Sequence, residues 1–484
     1  MIPFSNTYSK LPERFYERIT PTPAPSPTLI EINDELAREL DIDPAWLRSD
    51  SGLVVLSGQQ IAEGSEPLAQ AYSGHQFGGF SPQLGDGRAC LLGEVIDQSK
   101  QHKDIQLKGS GKTPFSRNGD GKSALGPVIR EYLVSEAMHA LGIPTTRALA
   151  VVRSGESVVR EKPMAGGIFT RVASSHLRIG TFQYFAARKD IEALIVLTEY
   201  ALERHFPNAN TNTPNINNPA VTLLEQVISA QASLVAQWIA VGFIHGVMNT
   251  DNCSISGETI DFGPCAFMDD FHPGCVFSSI DRDSRYAWGN QAPIAHWNLT
   301  RLAETLLPII DSDENKATEL VEKSLDTFSN QFIAHYNSLY KAKFALRAET
   351  SIEFIQESLS ILADQQVDYT LFFRKLTQLA NGDTKQTDLT DLYLDEQVAN
   401  DWITKWKQHI DNDKIPTMRE INPILIPRNH QVEAAIQGAY QGDYSLFHRL
   451  NKAWKKPFAE NSDYQDLESP PLEHERVTQT FCGT

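Results

Sequence analysis

The sequence predicts an α+β fold in two lobes: a small strand-rich lobe and a larger helical one, preceded by an N-terminal extension and followed by further helices. Three observations predict it. The apolar run Ala89 to Ile96 and the alternating segment Asp104-Ile-Gln-Leu-Lys108 have strand character. Farther on, Leu223, Val227, Ala230, Leu234 and Trp238 recur at helical spacing, so their stripe is core. That helix leads into His245-Gly-Val-Met-Asn-Thr-Asp251-Asn252, followed nine residues later by Asp261-Phe262-Gly263, where the polar chemistry concentrates.

The elements follow in order. Residues 1–65 form the extension, broken at the Pro-rich stretch Pro21 to Pro27. Residues 66–155 form the β-rich lobe with one helix. Gly78-Gly79 and Leu84-Gly85-Asp86-Gly87-Arg88 precede its first strand. Gly85 and Gly87 permit a tight hairpin turn and close backbone approach to a phosphate, with Arg88 adding charge, although an ordinary Asp-Gly hairpin has the same letters. Lys108 closes the next strand, where a protein kinase keeps the lysine that grips the nucleotide. The segment Lys108 to Thr113 is no Walker A loop: the first glycine would fall at Gln106, and Pro114-Phe115 follows in place of a helix start. Gly109 to Lys122, with Arg117, Asp120 and Gly121, reads as a long polar loop over a nucleotide or as a plain surface loop. A helix runs from Gly126-Pro127 to a stop at Gly142 and Pro144. It offers Glu131 or Glu136 to Lys108. The two lie about 140° apart on a helical wheel, so only one can face the lysine, and the apolar stripe Ile129, Leu133, Ala137, Ala140 runs closer to Glu136.

Residues 156–290 form the larger lobe. Arg171 and Arg178, seven apart, would share a face if helical and match phosphate oxygens; in a chain of net charge -18 they could equally pair with carboxylates. Asn208 to Asn218 is an Asn-rich polar loop. The motif from His245 to Asn252 has the spacing of a kinase catalytic loop, His-Arg-Asp-Leu-x-x-x-Asn, and Asp261 stands where Asp-Phe-Gly holds metal. This makes the expected architecture a protein-kinase-like bilobal fold. The base position, however, is Val247, which cannot accept a proton; the nearest carboxylate is Asp251. The chain is therefore an enzyme with a relocated base, a kinase moving the γ phosphate to a protein or small molecule, or a pseudokinase scaffold that holds nucleotide.

Residues 291–461 are helix-patterned, in Leu302 to Ile310, Leu320 to Leu339 and Ile352 to Leu362, and residues 462–484 form an extended tail carrying Cys482. No apolar segment approaches the ~20 residues that span a bilayer, and no signal-like start is present. The expectation is a cytoplasmic protein with no membrane partner. With 61 carboxylates against 43 Lys and Arg, no nucleic-acid surface is expected. Five cysteines are too few for a disulfide scaffold. Cys275, in a loop after Asp261-Phe-Gly, and Cys482, on the tail, could nonetheless pair as a redox switch that ties the tail across the site, the alternative being two free thiols.

The motifs Ser73-Gly-His-Gln-Phe-Gly78-Gly, Leu84-Gly-Asp-Gly-Arg88, Gln106-Leu-Lys108-Gly-Ser-Gly, Ile143-Pro-Thr-Thr-Arg147, Phe169-Thr-Arg171-Val and His245 to Asn252 together resemble the selenoprotein O family of kinase-like protein adenylyltransferases, over nearly the whole chain. The resemblance implies transfer of AMP from ATP to Ser, Thr or Tyr hydroxyls of protein substrates, with Mg²⁺ or Mn²⁺. It implies that Gly85, Gly87, Arg88, Lys108, Asp120, Gly121, Arg171 and Arg178 hold the nucleotide, with Glu131 as lysine partner, Asp251 as base, and Asn252 and Asp261 as metal ligands. Cys482 stands where some members carry selenocysteine, so only thiol chemistry remains. UTP as an alternative donor stays open.

Overall fold

The computed structural model describes residues 1–209 and 218–481. Its centre is an antiparallel sheet of eight strands. They are β1 (Tyr16–Arg18), β2 (Thr28–Ile32), β3 (Leu68–Gln70), β6 (Ala89–Ile96), β7 (His102–Lys108), β8 (Ser123–Ala124), β9 (Arg147–Val159) and β10 (Pro163–Ala173), while β4 (Gly74–Gln76) and β5 (Gly79–Ser81) form a separate hairpin. The spatial order is β1-β3-β6-β7-β10-β9-β2, with β8 beside β10.

The period of two along a strand sorts side chains to opposite faces. On β7, Ile105 and Leu107 enter a core with Leu36, Leu47 and Val55. These come from the short helices α1 (Asp34–Glu39), α2 (Pro44–Arg48) and α3 (Asp50–Leu56), which cover one face of the sheet. The alternate residues Asp104, Gln106 and Lys108 therefore face the other way, and they are buried. On that second face lies α4 (Leu125–Ala140), which buries Leu125, Val128, Ile129 and Leu133 against Leu91, Val151 and Phe169.

The sheet crosses both boundaries expected for the small lobe. Residues 1–65 are no separate extension, because β1 and β2 pair with β3 and β9. At the other end β9 crosses residue 155, and β10 lies wholly beyond it, in the same sheet through its pairing with β7 and β9. The run from Gly85 to Arg88 is not the turn of a hairpin either. The hairpin lies earlier, in β4 and β5, and the later run lies along β3 with Asp86 N–H donating to Gln70 O at 3.0 Å.

The second body is helical: α5 (Ile179–Ala187), α6 (Ile191–His205), α7 (Pro219–Ala240) and α8 (Gln291–Ile310) share one core with the helices that follow to Trp454. Leu223, Val227, Leu234 and Trp238 are buried on α7 as their spacing requires, while Ala230 of the same stripe is only half-buried. The Asn-rich loop lies mostly outside the described residues. Residues 462–468 and 473–475 form 3₁₀ turns where an extended tail was expected, and Thr480 then pairs with Ser278 in a parallel bridge. Among the described residues, no helix is long and apolar enough to cross a membrane.

Candidate active site

The site is built where the polar face of the sheet meets the loop after α7. Arg171 and Gln106 are register partners on β10 and β7, and Arg171 Nη2 donates to Gln106 Oε1 at 2.7 Å. Arg178 lies in extended backbone just before α5, so the two arginines converge from a strand and a helix start and do not share a helical face. From α4, Glu131 accepts from Lys108 Nζ at 2.7 Å and from Arg171 Nη1 at 3.2 Å. Glu136 points elsewhere: it takes Arg147 through two bonds of 2.9 Å, Ala148 N–H at 2.8 Å and Asn33 Nδ2 at 2.7 Å.

Asp261 receives Lys108, and Arg171 at 2.9 Å, with Arg178 at 3.9 Å. Its backbone is left-handed, φ +64°, a conformation Asp tolerates better than most residues. Burial alone would raise this carboxyl, but the three cations overcome it and hold Asp261 well below the usual carboxylate range. Behind Arg171 the polarity continues inward. Arg171 Nε donates to His176 Nε2 at 3.2 Å, and His176 Nδ1 lies 2.9 Å from Asp104 Oδ2.

Asp251 has the opposite environment. It sits in the 3₁₀ turn Thr250–Asn252, whose Thr250 Oγ1 donates to Gln183 Oε1 at 2.6 Å and accepts from His75 N–H at 2.7 Å. One carboxylate oxygen accepts from Gln76 Nε2 at 3.1 Å; the other, Oδ1, is buried without a hydrogen-bond partner among the described residues. Burial pushes the carboxyl up to about 6, against the lowering pull of Gln76 and Arg178. Gly74 leaves the space: a Cβ there would stand 2.5 Å from Asp251 Oδ1. Val247 lines the same cavity, and Asn252 Nδ2 donates to its carbonyl at 3.1 Å, which leaves the Asn252 amide oxygen as an acceptor.

Two adjoining cavities contain these groups. One, of about 380 Å³, is lined by Lys108, Glu131, Arg171, Arg178, Asn252 and Asp261; the other, of about 550 Å³, is lined by Gly85, Phe115 and the loop from Ser116 to Lys122. Gly87, Arg88, Arg117 and Asp251 line both. Asp120 is at the rim, where Arg160 pairs with it at 2.9 Å, and Gly121 packs against Gly111 at φ +70°. Gly85 is also left-handed, φ +78°, and a Cβ there would stand 2.3 Å from the Phe115 ring. Cys275 is half-buried, its thiol pushed up to about 11 by burial; Cys482 lies outside the described residues.

Sequence reasoning gave no role to Gln76, Asp86, Gln106, Asn249 or His176. All but Asn249 touch Asp251, Arg171 or Arg178 directly. Each lies within or beside a motif quoted above, but the letters carried no sign of which partner each would meet.

Comparison with known proteins agrees with the class this site defines. The family model described as protein adenylyltransferase SelO matches residues 1–455. A protein nucleotidyltransferase YdiU of Rhodopseudomonas palustris (strain BisB5) is 51% identical over 492 residues, covering 100% of this chain and 99% of the relative. Another of the same name, from Agrobacterium fabrum (strain C58), is 50% identical over 493 residues, with 100% of both chains covered. The chain belongs to the SelO family and is a protein nucleotidyltransferase, with ATP and proteins as the substrates its family name implies.

Proposed function

We propose that the protein, within a kinase-like bilobal fold, transfers AMP from ATP to hydroxyl side chains of acceptor proteins, with Asp251 as general base. The observation that carries this is the pair of unlike carboxylates. Asp251 is desolvated, with a free oxygen and a carboxyl near 6, while Asp261 is locked ionised by three cations. Environments that push two carboxyls apart mark acid–base assignments. A group near 6 is ionised at neutral pH yet still basic enough to take a proton from an incoming hydroxyl. The deprotonated oxygen attacks the α phosphorus, its bond to the bridging oxygen breaks, and pyrophosphate leaves. Lys108, Arg171 and Arg178 lie ready to neutralise the triphosphate, with Arg88, Asp120 and the glycines Gly85, Gly87 and Gly121 shaping the adjoining cavity around the nucleotide.

Asn252 and Asp261 would hold Mg²⁺ or Mn²⁺. Both present oxygen to one cavity, and hard cations of this kind take one or two carboxylates and complete their shell with phosphate oxygens and water. Among the described residues, no group of three or more His, Cys, Asp or Glu is placed to hold a metal. When bound, the ion withdraws charge from the phosphates.

ATP labelled at the α or the γ position tests the reading. Covalent label in protein is expected from the α position only. Incorporation from γ-labelled ATP at a comparable rate would establish a phosphotransferase, and tight ATP binding with neither label would establish a scaffold. Labelled UTP in the same assay measures donor choice. A redox link between Cys275 and Cys482 belongs to the same proposal, supported by Thr480, whose N–H donates to Phe277 O at 2.7 Å beside Cys275. Mapping unreduced peptides, with activity measured with and without reductant, decides it.

A further inference from the structure

A row of buried ionisable groups runs behind Arg171, and none of them lines either cavity. Glu94 on β6 accepts from Arg204 of α6, and Arg204 Nη2 donates to Asp104 Oδ1 at 2.6 Å. The other oxygen of Asp104 meets His176 twice, at the backbone N–H and at Nδ1, each at 2.9 Å. His176 Nε2 then meets Arg171 Nε at 3.2 Å. No side chain of the five is more than 3% exposed.

The partners at the two ring nitrogens settle the tautomer. Burial alone would raise the Asp104 carboxyl, but Arg204 and His176 overcome it and hold it below the usual range, so Asp104 is an acceptor only. Arg171 Nε is a donor only. The ring must therefore carry its proton on Nδ1 and offer a lone pair at Nε2. A second proton there would face the Arg171 N–H and set two cations side by side; burial and Arg171 accordingly hold the imidazole below its usual value. A neutral ring adds no charge to the site. What it adds is direction. Glu131 and Asp261 already oppose the charge of Arg171 from Nη1, at 3.2 and 2.9 Å, and both compete with a phosphate for it. His176 and Gln106, at Nε and Nη2, are neutral acceptors that fix the guanidinium plane without competing. These bonds use four of the five guanidinium N–H groups and leave one, on Nη2, unclaimed among the described residues.

We propose that His176 is a positioning residue for nucleotide binding: held in one tautomer by Asp104, it fixes the guanidinium of Arg171 in the plane that serves the triphosphate. Arg204 and Glu94 act one step farther back, by keeping Asp104 ionised and in place. The inference rests on the reading of Arg171 as a ligand of the triphosphate, and Arg171→Lys, which keeps the charge and loses the fork, checks that reading by itself.

Calorimetry on the full chain with α,β-methylene ATP, which cannot lose pyrophosphate, reads nucleotide affinity without chemistry, and urea unfolding reads the fold. The side-chain nitrogen of Asn can stand where Nδ1 stands, so His176→Asn keeps Asp104 and loses Arg171. Gln reaches the position of Nε2, so His176→Gln keeps Arg171 and loses the ring's bond to Asp104. His176→Asn is expected to weaken the analogue about tenfold or more, as one lost hydrogen bond to a charged group does. His176→Gln should return it to within about threefold of the parent, although its urea midpoint is no higher than that of His176→Asn. Affinities that instead fall in step with the urea midpoint in both variants would make His176 structural and overturn the proposal. So would a His176→Asn that binds like the parent beside a weakened Arg171→Lys. An Arg171→Lys that itself binds like the parent overturns the reading of Arg171, and the positioning with it. Should neither His176 variant fold, a long-range ¹H–¹⁵N correlation spectrum of the parent decides: a neutral His176 with its proton on Nδ1 is expected, and a proton on Nε2 overturns the proposal.

Discussion

At the residue scale, Asp251 is a carboxylate kept ionised against its surroundings. Raising a carboxyl from 3.8 to about 6 disfavours the ionised form by about 3 kcal/mol. The folded state holds the proton more tightly than the unfolded chain, so this stability term is full below the unfolded value and is lost as pH rises through about 6. Asp251→Asn is therefore expected to raise the melting temperature at pH 7.5, with an advantage that shrinks towards pH 5, while transfer falls by roughly 10²–10⁴. An Asn variant no more stable than the parent at pH 7.5 would remove the argument for a desolvated base. Transfer by the parent should decline as pH falls below about 6, where Asp251 takes up its proton. The carboxylate itself was legible in the sequence because Val247 left a kinase-like spacing without its base. What the sequence did not contain was the cause of its basicity, because Gln76, Gly74 and Gln183 reach Asp251 and its neighbour Thr250 from segments far away in the chain.

At the element scale, α4 has two buried glutamates with different work. Glu136 joins Asn33, Arg147 and the start of β9, so it ties the helix to the sheet. Glu131 joins Lys108 and Arg171 inside the cavity. Glu136→Ala strips the half-buried Arg147 guanidinium of its main partner, leaving it Glu39 at 3.4 Å, and leaves the Ala148 N–H unpaired, at about 1–3 kcal/mol; its readout is the urea midpoint, with ATP affinity retained in the folded fraction. Glu131→Gln is expected to act on ATP affinity and turnover more than on the urea midpoint. If the two variants exchange these signatures, the helix has been assigned backwards. Periodicity pointed to Glu136 because a helical wheel records only the apolar stripe, and both glutamates are buried, one against the sheet and one against the cavity. Gly74→Ala probes the β4–β5 hairpin in the same way. Its Cβ would stand 2.5 Å from Asp251 Oδ1, so transfer should fall while the fold, extended at this residue, persists. The strands β6 and β7 and helix α4 were legible from run length and period. The three-residue β1 was not, because its only support is pairing with β3 across about fifty residues of chain.

At the scale of the whole molecule, the helical region beyond Gln291 holds the loop that borders the site. Tyr369 N–H donates to Asp269 O at 2.8 Å and Phe271 N–H to Val367 O at 2.9 Å, so the chain after Asp261-Phe-Gly bridges to the start of a distant helix. Arg428, fully buried, locks that junction by donating to Asp269 at 2.5 Å and Asp368 at 2.8 Å. Removing one partner of a buried ionic group is far worse than removing all of it, because the charge left behind has lost both water and its counterion. Arg428→Met is therefore expected to cost about 3–5 kcal/mol at pH 7.5 by urea unfolding. The stranded carboxyls would lose their counterion, and Asp269, already raised by burial in the presence of the arginine, would rise further. Their penalty is complete only at pH values where both are ionised, and it fades as pH falls and they take up protons. The gap between parent and variant should thus narrow towards pH 5. Adding Asp269→Asn and Asp368→Asn to Arg428→Met should restore part of the loss at pH 7.5. A triple variant no more stable than the single one would mean that the charges are not what makes the junction fail, and that Arg428 acts there through its packed stem.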